Sequence, residues 1–330
     1  MLNAHPPHTI LVTGANGQDG TYLIEKLVKS GHEVHGLCHS SEGADRLTAL
    51  FLNVVTHVSD LVDIAGMARI VSAVRPTHIF NLAGNTSVER SWKFPTETAD
   101  VLGIGPVRLL EAAWVSQQES GRHVKFLQAS SAEIFGDTKE SPQRESTPRI
   151  PVTPYGAAKS FAHDMVGVYR ARGMFASSAI LYNHESPLRP ESFVARKISR
   201  EVARVSLGLS HGFTLGNIDV FRDWGYAPDY VDAMVAILDA STPDDYIVAT
   251  GVAHSVRQFV QVAFAYLGVK DWETYVTIDR SLYRPADPKR LVGDPAKLRD
   301  LGWRPSVDFE KLVHIMVEAD LALLRGKTDS

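Results

Sequence analysis

A single cysteine, Cys38, stands among 330 residues, so no disulfide can close within the chain, and a reducing compartment is permitted. That cysteine reads as a small buried hydrophobe rather than a reactive thiol. An excess of one charge is missing too. The formal net charge is −4, and no run of lysine and arginine offers a surface to nucleic acid or anionic lipid. No stretch approaches the roughly 20 apolar residues of a membrane span. The opening MLNAHPPHTILVTG lacks a basic leader followed by an apolar segment, so no signal peptide is expected. The 13 histidines are scattered without zinc-ligand spacing, so no metal centre is expected. These absences predict a cytoplasmic protein with no nucleic-acid or membrane partner. The remainder is ordinary globular composition, 44% hydrophobic and 22% charged, with length enough for a large core.

Short apolar runs alternate with helix-like stretches through the first half. HTILVTG is β-branched and ends in glycine. TYLIEKLVKSGH follows with Tyr22, Leu23, Leu27 and Val28 at helical spacing and Gly31 as a stop. EVHGLC, THVSDL, THIFNLAG and VKFLQASS read as further strands, with IAGMARIVSAVRP and GPVRLLEAAWVSQ as helices between them. Such alternation predicts an α/β fold, a Rossmann-type doubly wound parallel sheet covered on both faces. Strands are also expected at SSAILYNHES and YIVATG. From about Asn183 the alternation weakens. A Pro-rich loop, the helix FVARKISREVARVSLG and the amphipathic tail SVDFEKLVHIMVEADLALL predict a smaller, discontinuous α/β substrate-binding cap. The expected division is residues 1–182 plus about 218–250 for the nucleotide-binding part, and 183–217 plus 251–330 for the cap.

Gly14, Gly17 and Gly20 form G-x-x-G-x-x-G between the first strand and first helix. Glycines there permit a tight turn and close backbone approach to a pyrophosphate, and the helix N-terminus presents unpaired N–H groups. Asn16, Gln18 and Asp19, interleaved with the glycines, belong to the same candidate dinucleotide site. Asp60, past the third strand, can reach an adenine amino group or simply cap a helix. Leu61 beside it and Leu82 at the end of the fourth strand count as residues of the same edge. The acid expected about 20 residues past the glycines, to hold a ribose 2′-hydroxyl in NAD, is replaced by Cys38, His39 and Ser40. Arg46 follows and suits a 2′-phosphate. NADP is therefore favoured, with NAD possible.

Tyr155 and Lys159, in TPYGAAK, share a face if that segment is helical. A free tyrosine has a pKa near ~10, and a neighbouring ammonium is expected to draw it toward neutrality. Y-x-x-x-K alone is common on helix surfaces. Its weight comes from QASSAEIFG just upstream, where Ser131 can hydrogen-bond a substrate hydroxyl and Glu133 can offer a carboxylate at the cofactor edge. The bland alternatives are a turn-capping serine and a solvated glutamate.

With these motifs together, the chain resembles the extended short-chain dehydrogenase/reductase superfamily, and within it the GDP-mannose 4,6-dehydratase family. NLAGNTSVERSW, LYNHESPLRPESFVARKISR and VFRDWGYAPDYVDAM resemble successive blocks of that family along nearly the whole chain. The resemblance implies that Ser131, Glu133, Tyr155 and Lys159 form the catalytic set around NADP. It also implies that Asn183, Val194, Lys197, Arg222 and Arg284 contact a GDP-sugar, with Thr86 facing the sugar. Lys197 and Arg222 have the bland alternative of surface ion pairs.

Departures from the family pattern stand beside the matches. Serine replaces the usual threonine at Ser131 and keeps the hydroxyl. Ala132 stands where the family has serine, or related sugar dehydratases an aspartate that helps protonate the leaving oxygen. Leu188 and Pro190 alter a loop on the substrate side. The segment CHSSEGADR lacks the family's arginine pair and is shorter, which weakens NADP preference and tetramer formation and makes a homodimer the expectation, with a tetramer possible. Competing readings are a GDP-4-keto-6-deoxy-sugar reductase or epimerase, a dehydratase for another GDP-hexose or GDP-heptose, and a non-catalytic nucleotide-binding scaffold.

Overall fold

In the computed structural model, residues 7–283, 288 and 290–328 are described. The large lobe begins with β1 (Thr9–Thr13), α1 (Gln18–Lys29), β2 (Glu33–Cys38), α2 (Ser41–Leu50), β3 (Val54–Val58), α3 (Ile64–Val74) and β4 (His78–Asn81). Two short helices, α4 (Val88–Lys93) and α5 (Pro95–Ala99), then lead through a π turn to α6 (Gly105–Ser120). β5 (Lys125–Ser131), α7 (Pro154–Ala171) and β6 (Phe175–Leu181) follow. After β7 (Asn183–Glu185) come α8 (Val194–Ser206), β8 (Phe213–Leu215), β9 (Phe221–Tyr226), α9 (Ala227–Asp239) and β10 (Asp245–Val248). The chain finishes through β11 (Ala253–Ser255), α10 (Val256–Tyr266), β12 (Val276–Ile278), β13 (Arg290–Leu291), α11 (Ala296–Asp300) and α12 (Phe309–Thr328).

Seven strands form one parallel sheet in the order β10-β6-β5-β4-β1-β2-β3. The doubly wound arrangement expected from the alternating sequence is present. Side chains alternate across β1, so Ile10 and Val12 join a core with α1 and α9, while Leu11 joins another with α3, α6 and α7. Burying apolar area on both faces is the main driving term for this layer, at roughly 25 cal/mol per Å². The order reverses between β1 and β4, and ligands of such sheets sit at that crevice, beyond the carboxyl ends of the strands.

A smaller sheet, β11-β9-β13 with β7 added on β9, forms the cap with α8, α10 and α12. Its helices are joined by a buried ion pair, Arg196 to Asp320 at 2.7 Å, and Ser199 Oγ donates to the same carboxylate at 2.6 Å. The return to the large lobe comes later than position 218. β9 belongs to the cap sheet, and α9 and β10 carry the chain back. Among the described residues no helix is long and apolar enough to cross a membrane.

Candidate active site

β1 ends at Thr13, and the glycine turn delivers the chain into α1. Gly14 has φ +66°, and a Cβ there would lie 2.8 Å from the Leu82 carbonyl oxygen, so conformation and space both require glycine. The turn, the first residues of α1 and the loop after β4 open onto a cavity of ≈ 520 Å³. Gly14, Gly17, Gln18, Asp19, Gly20, Leu82 and Thr86 all line it, so seven residues singled out by sequence converge there. Others stand apart. The Asn16 amide lies against Gly43 in α2. Leu61 is buried against Gly105 at the start of α6, so its side chain is core. Asp60 is exposed, and its carboxylate accepts from Val62 N at 3.2 Å. The capping alternative at Asp60 is not met, because Asp63 caps α3 by accepting from Gly66 N. Arg46 is exposed on α2.

The helical reading of TPYGAAK is met. Thr153 caps α7, accepting from Gly156 N at 3.0 Å, and Pro154 occupies the first turn, where no N–H is missed. Tyr155 and Lys159 are 6% and 5% exposed, so neither is ordinary helix surface. Ser131 ends β5 and accepts from Glu133 N at 3.3 Å. A Cβ on Gly156 would lie 2.5 Å from the Glu133 carbonyl oxygen. Glycine at that point lets α7 approach the glutamate turn, which brings Tyr155 to Ser131 and Glu133. Gly156→Ala is expected to displace α7 by a fraction of an ångström or more and to lower kcat by about 10²-fold. Unchanged circular dichroism beside lost turnover would locate the defect in alignment.

Beneath these groups runs a buried polar ladder. Thr13 Oγ1 donates to Asn81 Oδ1 at 2.6 Å, Asn81 Nδ2 donates to Gln128 Oε1 at 2.7 Å, and Gln128 Nε2 donates to the Ala129 carbonyl at 3.0 Å. Lys159 Nζ donates to the same carbonyl at 2.9 Å. The lysine is thereby tied to the ends of β1, β4 and β5.

Burial pushes the Tyr155 phenol up to about 12, with Ser131 lowering it and the Glu133 charge raising it. The expected drift of Tyr155 toward neutrality is therefore absent in the protein alone. Desolvation outweighs the ammonium, whose nitrogen lies 5.9 Å from the ring centroid and bonds the Ala129 carbonyl. Burial pushes Lys159 down to about 8, opposed by Asp19. Activity that needs the ammonium is expected to decline as pH rises through about 8, since the cation is lost there. A kcat profile from neutral to alkaline pH checks this.

One arrangement has no local signature. Burial alone would raise Asp19, but His184 more than offsets it and holds the carboxyl below its usual range. His184 Nε2 lies 2.8 Å from Asp19 Oδ2, and its Nδ1 donates to the Tyr182 carbonyl at 2.7 Å. His184 is raised because Asp19 overcomes its burial. Gln18 Nε2 donates to the His184 carbonyl at 3.2 Å, and Ser186 Oγ donates to Gln18 Oε1 at 2.8 Å. Arg189 joins the cavity wall, with its guanidinium 3.7 Å from the Phe193 ring centroid and its Nε 3.1 Å from Glu185. The stretch NHESP thus locks the glycine turn to the cap.

On the cap side, Asn183 starts β7 opposite Trp224, and Val194 opens α8. Lys197 Nζ donates to the Thr214 carbonyl at 2.7 Å. Arg222 is 6% exposed, and its Nη1 donates to the carbonyls of Phe221 and Pro288, each at 2.8 Å. Arg222 is therefore buried rather than a surface cation. Arg284 lies outside the described residues.

Comparison with known proteins agrees with this geometry. The family model described as GDP-mannose 4,6 dehydratase matches residues 11–316. GDP-mannose 4,6 dehydratase 2 of Arabidopsis thaliana is 44% identical over 97% of this chain and 88% of its own length. The GDP-mannose 4,6 dehydratase of Homo sapiens is 42% identical over 97% of this chain and 93% of its own. Among solved structures, the UDP-glucose 4-epimerase of Thermus thermophilus in complex with NAD superposes with TM-score 0.81 at 28% identity, covering 94% of this chain and 98% of that one. With the glycine turn, the Ser131–Glu133–Tyr155–Lys159 cluster and these matches in hand, the chain belongs to the GDP-mannose 4,6-dehydratase family.

Proposed function

We propose that this enzyme converts GDP-mannose to GDP-4-keto-6-deoxy-mannose. The observation that carries the reading is the placement of Ser131, Glu133, Tyr155 and Lys159 at the end of β5 and start of α7. That is the same sheet edge at which the glycine turn opens the cavity. A nicotinamide dinucleotide fits the donor set: the N-terminus of α1 presents N–H groups to a pyrophosphate, and the glycines allow close approach. When bound, it supplies the acceptor and later the donor of hydride, so no net redox change results.

Tyr155, once it has given up its own proton, takes the proton of the sugar 4-hydroxyl as the phenolate, and Ser131 hydrogen-bonds O4. Lys159 is the cation that favours that phenolate before the transfer. The 4-ketone acidifies the C5 proton, which Glu133 removes. Ala132 is buried and offers no acid, so Glu133 also returns a proton to the hydroxyl leaving C6. Acid–base groups of this kind contribute ~10²–10⁴-fold each. Lys197 and Arg222 bind the diphosphate, and Asn183 and Thr86 contact the nucleotide-sugar.

The test is mass spectrometry of the purified protein with GDP-mannose, NADP and NAD being supplied in parallel. A product lighter by one water without net cofactor reduction supports the reading. Faster turnover with NADP supports the preference drawn from the missing acid at the end of β2. Intact GDP-mannose in a sample that binds both ligands overturns it in favour of a 4-keto-6-deoxy-sugar reductase, or of a dehydratase for another GDP-sugar, toward which the altered Pro190 wall of the cavity points.

The same reading includes a homodimer. Phe161 and Val168, seven residues apart, share one face of α7 and are 47% and 50% exposed, and Val115 on neighbouring α6 is 42% exposed. An apolar face across two adjacent helices suits the matching face of a second copy. Phe161→Asp is expected to yield monomer by light scattering, and an unchanged mass would place the contact elsewhere.

A further inference from the structure

The chain between Glu133 and Tyr155 is a closed loop. Asp137 N donates to the Ile150 carbonyl at 3.1 Å, and Ile150 N donates to the Phe135 carbonyl at 3.3 Å. The two catalytic groups therefore stand on the two stems of one loop. Its far side carries Gln143, which is 1% exposed.

Gln143 bonds on every side. Its N–H donates to the Val292 carbonyl at 2.8 Å, and its carbonyl accepts from Asp294 N at 2.8 Å. Its side-chain Oε1 accepts from Val292 N at 2.9 Å and from the Tyr182 hydroxyl at 3.0 Å. Its Nε2 donates to the Glu140 carbonyl at 2.7 Å. Two donors facing the oxygen and one acceptor facing the nitrogen admit a single orientation of the amide.

The segments it joins lie beside Arg222 and Asn183, which the proposed function assigns to the nucleotide-sugar. Leu291 pairs with Arg222 in register, and the Arg222 guanidinium donates to Pro288 O. Tyr182 immediately precedes Asn183. The fit between these segments is tight. A Cβ on Gly293 would lie 2.6 Å from both Ala249 Cβ and Ile247 Cγ2, and 2.8 Å from Tyr182 Cε2. We infer that Gln143 is a positioning residue for the nucleotide-sugar: one amide fixes the loop that carries Glu133 and Tyr155 against the strands that hold Arg222 and Asn183. It touches no reacting atom. Its action is to hold the segments that carry Arg222 and Asn183 in the arrangement that binds the nucleotide-sugar.

This inference rests on the GDP-sugar reading above. Gln143→Leu removes both acceptor bonds and leaves Val292 N–H and the Tyr182 hydroxyl buried without a partner. The expected result is a KM for GDP-mannose raised about tenfold, kcat within about threefold of the parent, and NADP affinity unchanged. GDP binding by calorimetry is expected to weaken in parallel. Tyr182→Phe removes one arm only and is expected to raise KM about threefold. Gln143→Glu keeps an oxygen for both donors but turns an acceptor toward the Glu140 carbonyl, and is expected to return KM only part of the way to the parent value. Parent KM and parent GDP affinity in Gln143→Leu, with only a lower melting temperature, would overturn the assignment and leave a packing role. Should Gln143→Leu fail to fold, Tyr182→Phe decides the matter alone. The GDP titration separates the two readings. A parent that binds GDP without turning over GDP-mannose refutes the proposed reaction, while the ratio of GDP affinities still tests Gln143.

Discussion

Tyr155→Phe is expected to lose about 10³-fold in kcat while GDP-mannose and the dinucleotide bind as before. The ring is buried between α7 and the Ser131–Glu133 turn, and phenylalanine fills the same space, so folding is untouched. What disappears is the oxygen that, as the phenolate, accepts the proton of the 4-hydroxyl. Because burial has pushed the phenol up to about 12, the tyrosine is protonated in the protein alone at neutral pH. It must therefore lose its own proton to solvent before it can accept the substrate's, and Lys159, itself drawn down to about 8, is the cation placed to favour that phenolate. Stopped-flow nicotinamide absorbance reads this directly: the variant should show no fast reduction phase on mixing with sugar. Wild-type reduction in the variant would remove Tyr155 from the first step.

Glu133→Gln is expected to separate the halves of the reaction. Oxidation at C4 requires Tyr155 and Ser131, which the substitution leaves in place, so nicotinamide reduction should still occur. Removal of the C5 proton requires a carboxylate, which glutamine lacks. Overall dehydration is expected to fall by ~10²–10⁴-fold, and reduced nicotinamide should accumulate on the enzyme. Deuterium from solvent should no longer enter C5. Since Ala132 provides no second acid, the loss cannot be covered by its neighbour. A Glu133→Gln protein that still incorporates deuterium at C5 would assign the base elsewhere.

Much of this architecture is readable in the residues alone. The short strands β1, β4, β5 and β6 are largely buried, and the β-branched apolar run of β1 can be recognised directly. The glycine turn and the Thr-Pro-Tyr start of α7 carry their geometry in their residue types. Other features are hidden for physical reasons. Asp19 and His184 are separated by 165 positions, and neither has a neighbour in sequence that announces the pair. The raised phenol of Tyr155 comes from desolvation, which depends on the whole fold and not on the lysine one turn away. Asp60 looks equally suited to capping α3, and only the backbone path shows Asp63 in that role. The assignment of β9 to the cap is invisible because a single buried strand does not state which sheet it joins.

The crossings between lobes carry a consequence for how the chain is made. The edge strand β10 pairs with β6 but is synthesised only after α8 and β9 of the cap. A nascent chain that has just released β6 therefore presents an unpaired, apolar strand edge until dozens more residues emerge. Such an edge is a template for pairing with other chains, and the interval is one in which a chaperone has something to hold. The cap in turn waits for α12, the last helix, to close its core with α8 and α10. Neither lobe is complete until the other has been threaded, so the enzyme is not two modules that could be traded separately between relatives, but one unit whose halves are inherited together.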